Sequence, residues 1–243
     1  MTAAADDQAA AAARDFARAA SGRWKARLGG ELVGVYLLGS LAHGGFSRRY
    51  SDIDMGLIAE TPLPQPVLEA LRADAAAVSR EMTGKLSIFW ADRNLSAGRF
   101  PPLDRVDYLD HAVALIERER VALPRPALAE IRAYLAGAPL QNWRADAERF
   151  AADAALELKD HKRFLRSMLY PARFIYSWTT GRMGSNDEAV AFLIGHAPEG
   201  LDVALVGRAL ELRRAAADPD ELFPARHSLP RQVAACVQFI AGA

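Results

Sequence analysis

The stretch from Leu38 to Ile58, LGSLAHGGFSRRYSDIDMGLI, places a Gly-Ser pair directly after an apolar run and then sets two aspartates one residue apart. Two carboxylates this close repel each other, yet Ile53 and Met55 indicate that the segment is buried. Because successive side chains of a strand point to opposite faces, Asp52 and Asp54 are expected on one face, about 7 Å apart. A divalent metal ion is the first candidate for the charge that stabilises such a pair.

The Gly-Ser pair predicts a phosphate-binding turn. Gly39 lets the backbone approach a ligand closely, and Ser40 stands where a short helix could begin, with amides suited to phosphate. Mg²⁺ prefers oxygen ligands and keeps water or phosphate oxygens in its remaining positions. The two features together predict a metal–triphosphate site for phosphoryl or nucleotidyl transfer. Arg48 and Arg49 could neutralise the triphosphate, although two arginines in a polar loop are more often simply solvated.

Composition limits the classes of function. The chain has 243 residues, 51% of them hydrophobic, and thirty basic side chains balance thirty acidic ones. This balance does not favour nucleic acid or an anionic membrane as a partner. No apolar run approaches the roughly 20 residues that cross a bilayer, and the N-terminus lacks a signal-peptide pattern, so we expect a cytoplasmic protein. The single cysteine, Cys236, lies in an apolar helical pattern that predicts a buried, inert thiol.

Hydrophobic periodicity predicts a mixed α/β domain over residues 1–103 and a helical domain over residues 104–243. The Gly- and Pro-containing segment 93–104 is interpreted as a linker. In the first domain we expect two helices, at 5–28 and 66–82, and three strands, at 32–38, 52–58 and 85–91. In the second domain we expect helices at 104–120, 126–137, 142–180, 186–196, 200–216 and 228–242.

Two segments resemble known proteins. GSLAHGGFSRRYSDID (39–54) resembles the signature of the DNA-polymerase-β-like nucleotidyltransferase superfamily, a Gly-Ser pair, a spacer and then Asp-hydrophobic-Asp. ARFIYSWTTGRMGSNDEAVAF (172–192) is similar to a segment in the helical domain of the aminoglycoside (streptomycin/spectinomycin) adenylyltransferases. The resemblance implies an α/β nucleotidyltransferase domain with a small mixed sheet, followed by an all-α C-terminal domain.

The resemblance also implies roles for residues of the first motif. Gly39 and Ser40 would hold the β- and γ-phosphates of ATP, with Arg49 as a further nucleotide-binding residue. Asp52 and Asp54 would ligate Mg²⁺ as the catalytic carboxylates. A hydroxyl of an unidentified small acceptor would attack the α-phosphorus and release pyrophosphate, so that AMP is transferred from ATP.

The general base is left open. Members of the superfamily usually carry a third carboxylate on the third strand, and alignment of KLSIFWAD places it at Ser87, which cannot act as a base at neutral pH without a partner. Asp92 has the opposite strand parity, and Lys85 is a cation better suited to phosphate. Asp104 or Asp107 could reach the site from beyond the linker.

The second motif departs from its relatives as well. A lysine that contacts nucleotide phosphates in aminoglycoside-modifying relatives is replaced by Asn186. We interpret SNDE (185–188) as a helix capping box that follows a helix-ending Gly181. In those relatives, acidic side chains of the helical domain face the cationic aminoglycoside. The corresponding positions of this chain carry cations or lie next to them. The charged residues in this region are Glu157, Lys159, Asp160 and Arg163.

Three functions are therefore weighed. The first is a Mg²⁺-dependent nucleotidyltransferase that adenylylates a small molecule. The second is a catalytically impaired nucleotide-binding or regulatory protein that kept the metal carboxylates but carries Ser87 in place of the base. The third is an antitoxin-like protein that AMPylates a partner protein, which ranks last because such proteins are usually minimal single domains.

Overall fold

The computed structural model describes residues 2–153, 155 and 160–242. The chain divides into two compact units after Pro126. This division lies later than the one predicted after residue 103. Segment 104–126 belongs to the first unit, because it supplies a helix and a strand that complete that unit.

Helices surround a single mixed sheet in the described part of the first unit. Its strands run in the order β4-β3-β2-β1-β5. The pair β2–β3 is parallel and the other neighbouring pairs are antiparallel. The predicted α/β class is thereby confirmed. In chain order the elements are α1 (Thr2–Leu28), β1 (Leu32–Leu37), α2 (Ser40–His43), β2 (Ile53–Ala59), α3 (Gln65–Ala76), α4 (Arg80–Thr83), β3 (Leu86–Asp92), β4 (Gly98–Arg99), α5 (Pro102–His111) and β5 (Val113–Glu117).

The larger apolar core of this unit packs α1 and α3 against the sheet, and a smaller one contains Tyr36 of β1. Phe16, Ala20 and Trp24, spaced by four residues, form an apolar stripe along α1 and are buried. The indole of Trp24 donates a hydrogen bond to the Leu71 carbonyl on α3, at 2.8 Å, which fixes the two helices to each other. All six residues of β1 are buried, as its continuous apolar sequence predicts.

Two predicted helices differ from the structure. The helix expected over 66–82 is divided into α3 and α4, because the Ser79 hydroxyl accepts a hydrogen bond from the Met82 amide at 3.2 Å and begins a new helix. The helix expected over 104–120 ends at His111, and β5 follows. Since β1 is buried, its backbone groups need partners on both edges, and β5 supplies the second edge.

The described part of the second unit is helical, as predicted, with a 3-10 segment at Asp220–Ser228. The helix expected over 142–180 is interrupted: α7 ends at Ala152, and Asp160 caps α8 by accepting from the Arg163 amide at 3.0 Å. Its helices are α6 (Leu128–Ala136), α7 (Ala138–Ala152), α8 (His161–Thr180), α9 (Asn186–His196), α10 (Val203–Ala215) and α11 (Leu229–Ala241).

The expectation for Cys236 is confirmed. The side chain is fully buried on α11, and burial raises the pKa of its thiol to about 12. At neutral pH the thiol is therefore protonated and unreactive.

Among the described helices, none combines the length and the apolar character that a membrane span requires.

Asp92 ends β3 as a buried carboxylate that organises the turn into β4. It accepts hydrogen bonds from the Ala97 amide at 2.7 Å, the Ser96 hydroxyl at 3.0 Å and the Asn94 amide at 3.2 Å. Burial opposes its charge, but these hydrogen bonds outweigh burial and hold the pKa of Asp92 below its usual value of 3.8.

We expect Asp92→Asn to lower the free energy of unfolding at pH 7 by about 1–3 kcal/mol, because an amide cannot accept all three bonds. Because the folded-state pKa is lowered, the contribution of the carboxylate is present above its usual value of 3.8 and is lost as pH falls through the folded value. Denaturant titrations at pH values from 7 downwards should therefore show the free energies of unfolding of the parent protein and the variant converging as the pH falls. A difference that stays constant with pH would contradict this account.

Candidate functional site

The Gly-Ser turn and the paired aspartates lie side by side because β1 and β2 are antiparallel neighbours. Leu37 pairs with Met55, so the end of one strand lies beside the start of the other. The Leu38 amide donates to the Asp54 carbonyl at 2.9 Å and extends the pairing to the edge of the turn. Two features that are distant in the motif are thus brought together by strand pairing alone.

Gly39 is required at this position for two reasons. Its φ of 60° and ψ of −150° form a conformation that favours glycine. A Cβ on this residue would also overlap the Oδ2 atom of Asp54. The Asp54 carboxylate therefore reaches directly to the turn.

The Gly39 peptide is bound on both sides. Its carbonyl accepts hydrogen bonds from the Ala42 amide at 2.9 Å and the His43 amide at 3.0 Å, which close the single turn of α2. Its N–H donates to Oδ2 of Asp107 at 2.6 Å. The Gly39 amide is thus already engaged, and the donors that the turn offers to a ligand begin at Ser40, since the first N–H groups of a helical turn have no partner within it.

A pair of hydroxyl groups joins the turn to the loop that precedes β2. The Ser40 hydroxyl donates to the Ser51 hydroxyl at 3.1 Å, and the latter accepts from the Ser47 amide at 3.0 Å. Ser51 is buried and immediately precedes Asp52. The sequence assigned no role to Ser51, whose position in the Ser-Asp-Ile-Asp run was its only signal.

Asp52 and Asp54 follow the predicted alternation. Both are half-buried, whereas Ile53 and Met55 between and after them are fully buried. Asp52 lies one residue before β2, and Asp54 is the second residue of that strand. Carboxylate oxygens are ligands that Mg²⁺ prefers, and the Asp54 carboxylate lies beside the Gly-Ser turn, so these residues fit that ion.

The third strand places Ser87 next to Asp54, since the two are paired in the parallel register of β2 and β3. Side chains paired in this way lie on the same face of the sheet. Two other residues, Asp92 and Lys85, were considered as substitutes for the missing base, but both have other partners. Asp92 accepts from its own turn, and the Lys85 ammonium donates to the Arg48 carbonyl at 2.9 Å.

Asp107 is the residue from beyond the predicted linker that reaches the turn. It lies on α5 between buried Val106 and Tyr108 and is only 2% exposed. Its Oδ2 atom accepts from Gly39, while its Oδ1 atom is buried and accepts no hydrogen bond among the described residues. A charged residue between two apolar residues, Val106 and Tyr108, was the available signal, but it did not specify this partner.

The two loop arginines, Arg48 and Arg49, contact other residues of the first unit. Arg49 is exposed, and its guanidinium lies 5.4 Å from the ring centroid of Tyr50. The Arg48 amide donates to the Asp6 carboxylate on α1 at 3.1 Å. A nucleotide-binding role for Arg49 stays a prediction.

The capping interpretation of the second motif is confirmed. The Ser185 hydroxyl accepts from the Glu188 amide at 3.1 Å, and the Glu188 carboxylate accepts from the Ser185 amide at 2.8 Å. Gly181 ends α8 in a left-handed conformation, with φ of 66°. Asn186 is consequently the first residue of α9.

The cation at Arg163 is partly compensated within the second unit. Its guanidinium lies 2.5 Å from the buried carboxylate of Asp146 on α7. The same carboxylate also lies 3.8 Å from the guanidinium of Arg166, so one acid faces two cations and offsets the charge of Arg163 only in part. Glu157 and Lys159 lie outside the described residues.

Comparisons with known proteins identify the fold. No family model and no curated protein matches the sequence. Among solved structures, the chain is similar to the crystal structure of spectinomycin adenyltransferase AAD(9) from Enterococcus faecialis with ATP and spectinomycin, with a TM-score of 0.63 and 12% identity. The match covers 88% of this chain and 97% of that chain. The fold is that of an aminoglycoside adenylyltransferase-like nucleotidyltransferase. At this identity the likeness shows the fold, and the fold expected from the resemblance is confirmed.

Gly39→Ala should be more damaging than alanine at another glycine of positive φ. Strain and the overlap with Asp54 together should lower the free energy of unfolding by about 2–4 kcal/mol. Gly29→Ala is the matched control, because its φ of 55° is similar but no atom lies within 4 Å of the added Cβ, so about 1–2 kcal/mol of strain is expected. Denaturant titration measures both. If adding Asp54→Ala to Gly39→Ala recovers none of the lost free energy of unfolding, overlap with Asp54 is not the cause of the loss.

Proposed function

We propose that this protein is a Mg²⁺-dependent nucleotidyltransferase that transfers AMP from ATP to a hydroxyl group of a small molecule. The observation that carries the proposal is the contact of the Asp54 carboxylate with the Gly39–Ser40 turn, inside a nucleotidyltransferase fold. Support also comes from the similar structure, which is of an adenyltransferase with ATP and spectinomycin.

The triphosphate would lie against the Gly-Ser turn. Gly39 contributes the absence of a side chain rather than its amide, since that amide donates to Asp107. Ser40 offers the main-chain N–H at the start of α2, while its hydroxyl donates to Ser51. Arg49, exposed in the following loop, would add positive charge towards the phosphates.

Asp52 and Asp54 would hold Mg²⁺. Bound by these carboxylates, the ion would neutralise negative charge on the polyphosphate. The acceptor oxygen would form a bond to the α-phosphorus as the bond from that phosphorus to the bridging oxygen breaks, and pyrophosphate would leave. With Ser87 beside Asp54, the acceptor proton would pass to water rather than to a positioned base, which we expect to make turnover about 10²–10⁴-fold slower.

The acceptor is proposed to be a small hydroxylated molecule. This class rests on the likeness to AAD(9), whose structure contains spectinomycin.

The direct test supplies ATP labelled at the α-phosphate, Mg²⁺ and a panel of hydroxylated acceptors that includes spectinomycin, and measures pyrophosphate release and label transfer. We expect Asp54→Asn to reduce turnover at least about 100-fold, because a metal carboxylate is lost. Asp15→Asn on α1 is the matched control, since Asp15 is 74% exposed and pairs only locally with Arg18. Equal turnover by the two variants would contradict the proposal.

A second candidate is a nucleotide-binding protein without catalysis. The observation that favours it is the register of β2 and β3, which places a hydroxyl, Ser87, beside Asp54. Such a protein would bind ATP with Mg²⁺ yet release no pyrophosphate with any acceptor.

Ser87→Glu tests whether the missing base limits the reaction. In an enzyme limited by its missing base, a carboxylate beside Asp54 should raise turnover by about 10- to 100-fold, whereas Ser87→Gln, equal in length but not basic, should not. Steady-state rates with a saturating acceptor measure the difference. If both variants are as slow as the parent protein, the absence of a base is not what limits the reaction.

A further inference from the structure

We infer that Asp107 is a positioning residue: its carboxylate holds the Gly39 peptide so that Ser40 presents its donors to the nucleotide. This inference rests on the proposed function for the identity of the ligand. It assigns a role to a residue on α5, outside both motifs, through its contact with the turn rather than with the substrate.

The contact itself is short and charge-assisted. The Gly39 N–H donates to Asp107 Oδ2 at 2.6 Å, and the carboxylate is almost completely buried. Gly39 itself is only partly buried, and removal of the carboxylate would take away the acceptor of its N–H. The peptide would then rotate or admit water, and either change would move Ser40.

The turn has few other restraints that could compensate. Gly39 lacks a side chain and has a backbone conformation that only glycine adopts readily. Its carbonyl is held by the amides of Ala42 and His43, which belong to the same four-residue helix. Asp107 is therefore the contact that ties the N–H of Gly39 to a separate element of the unit.

That element is firmly placed. Tyr108, the next residue of α5, is fully buried, with its ring 4.9 Å from that of Tyr36 on β1 and its hydroxyl donating to the Val121 carbonyl at 3.0 Å. One turn after Asp107, the ring of His111 lies 5.5 Å from that of His43 on α2. The helix is thus packed against both the strand before the turn and the helix after it.

Burial argues against direct chemistry by Asp107. A residue that accepts a proton from a substrate must reach it, whereas this carboxylate is enclosed and commits one oxygen to the main chain. The property used here is hydrogen-bond acceptance, which an asparagine side chain retains without the charge. Asp107→Asn and Asp107→Ala therefore separate positioning from a role of the charge.

The experiment uses the full chain and measures the Kd of Mg²⁺ with a non-hydrolysable ATP analogue by calorimetry, together with the melting temperature. We expect Asp107→Ala to weaken binding about tenfold or more, and Asp107→Asn to restore it to within about threefold of the parent protein. Asp92→Ala is the matched control: it removes another buried carboxylate of the same unit and should lower the melting temperature while leaving Kd unchanged.

A second readout does not depend on nucleotide. In a ¹⁵N–¹H spectrum, the Gly39 amide should resonate far downfield in the parent protein and move upfield in Asp107→Ala. Unchanged affinity in Asp107→Ala, or affinity as weak in Asp107→Asn as in Asp107→Ala, would overturn positioning by hydrogen-bond acceptance. If the parent protein binds no Mg²⁺-nucleotide while its Gly39 amide is downfield, the proposed function is overturned although the contact exists.

Discussion

The antiparallel pairing of β1 with β2 is the constraint on which the rest of the site depends. It brings the last residue of one strand beside the first residues of the next, so that Gly39 meets the Asp54 carboxylate. The glycine, the half-buried acids and the linked serine hydroxyls all follow from this arrangement. A slip of one residue would turn Asp52 and Asp54 to the opposite face, and the apolar residues on either side of Asp54 resist such a slip.

Most of the features that could be predicted came from local sequence patterns. The stripe of α1, the three predicted strands and the cap at Ser185 depend on neighbours within a few residues, and the structure contains each of them. The motif also indicated that its glycine and its acids would be close together. The placement of Ser87 beside Asp54 followed from strand alignment, which is again a short-range pattern combined with parity.

Contacts between segments that are distant along the chain could not be predicted from the sequence. Asp107 follows Gly39 by 68 residues, and a carboxylate in a helix says nothing about which amide it will accept from. Segment 113–117 has apolar residues that suit either a helix or a strand, and only the open edge of β1 decides for the strand. The Ser51 hydroxyl gained its partners in the same way, through a loop whose path no local pattern determined.

The late division of the chain has a consequence for how this fold could be divided or recombined. The compact first unit extends to Pro126. A shorter piece that stopped at residue 103, the boundary expected from the sequence, would lose both an edge strand and the carboxylate that binds the glycine turn. Any exchange of the helical half between such proteins would therefore have to be joined beyond β5, where the strand has already closed the sheet.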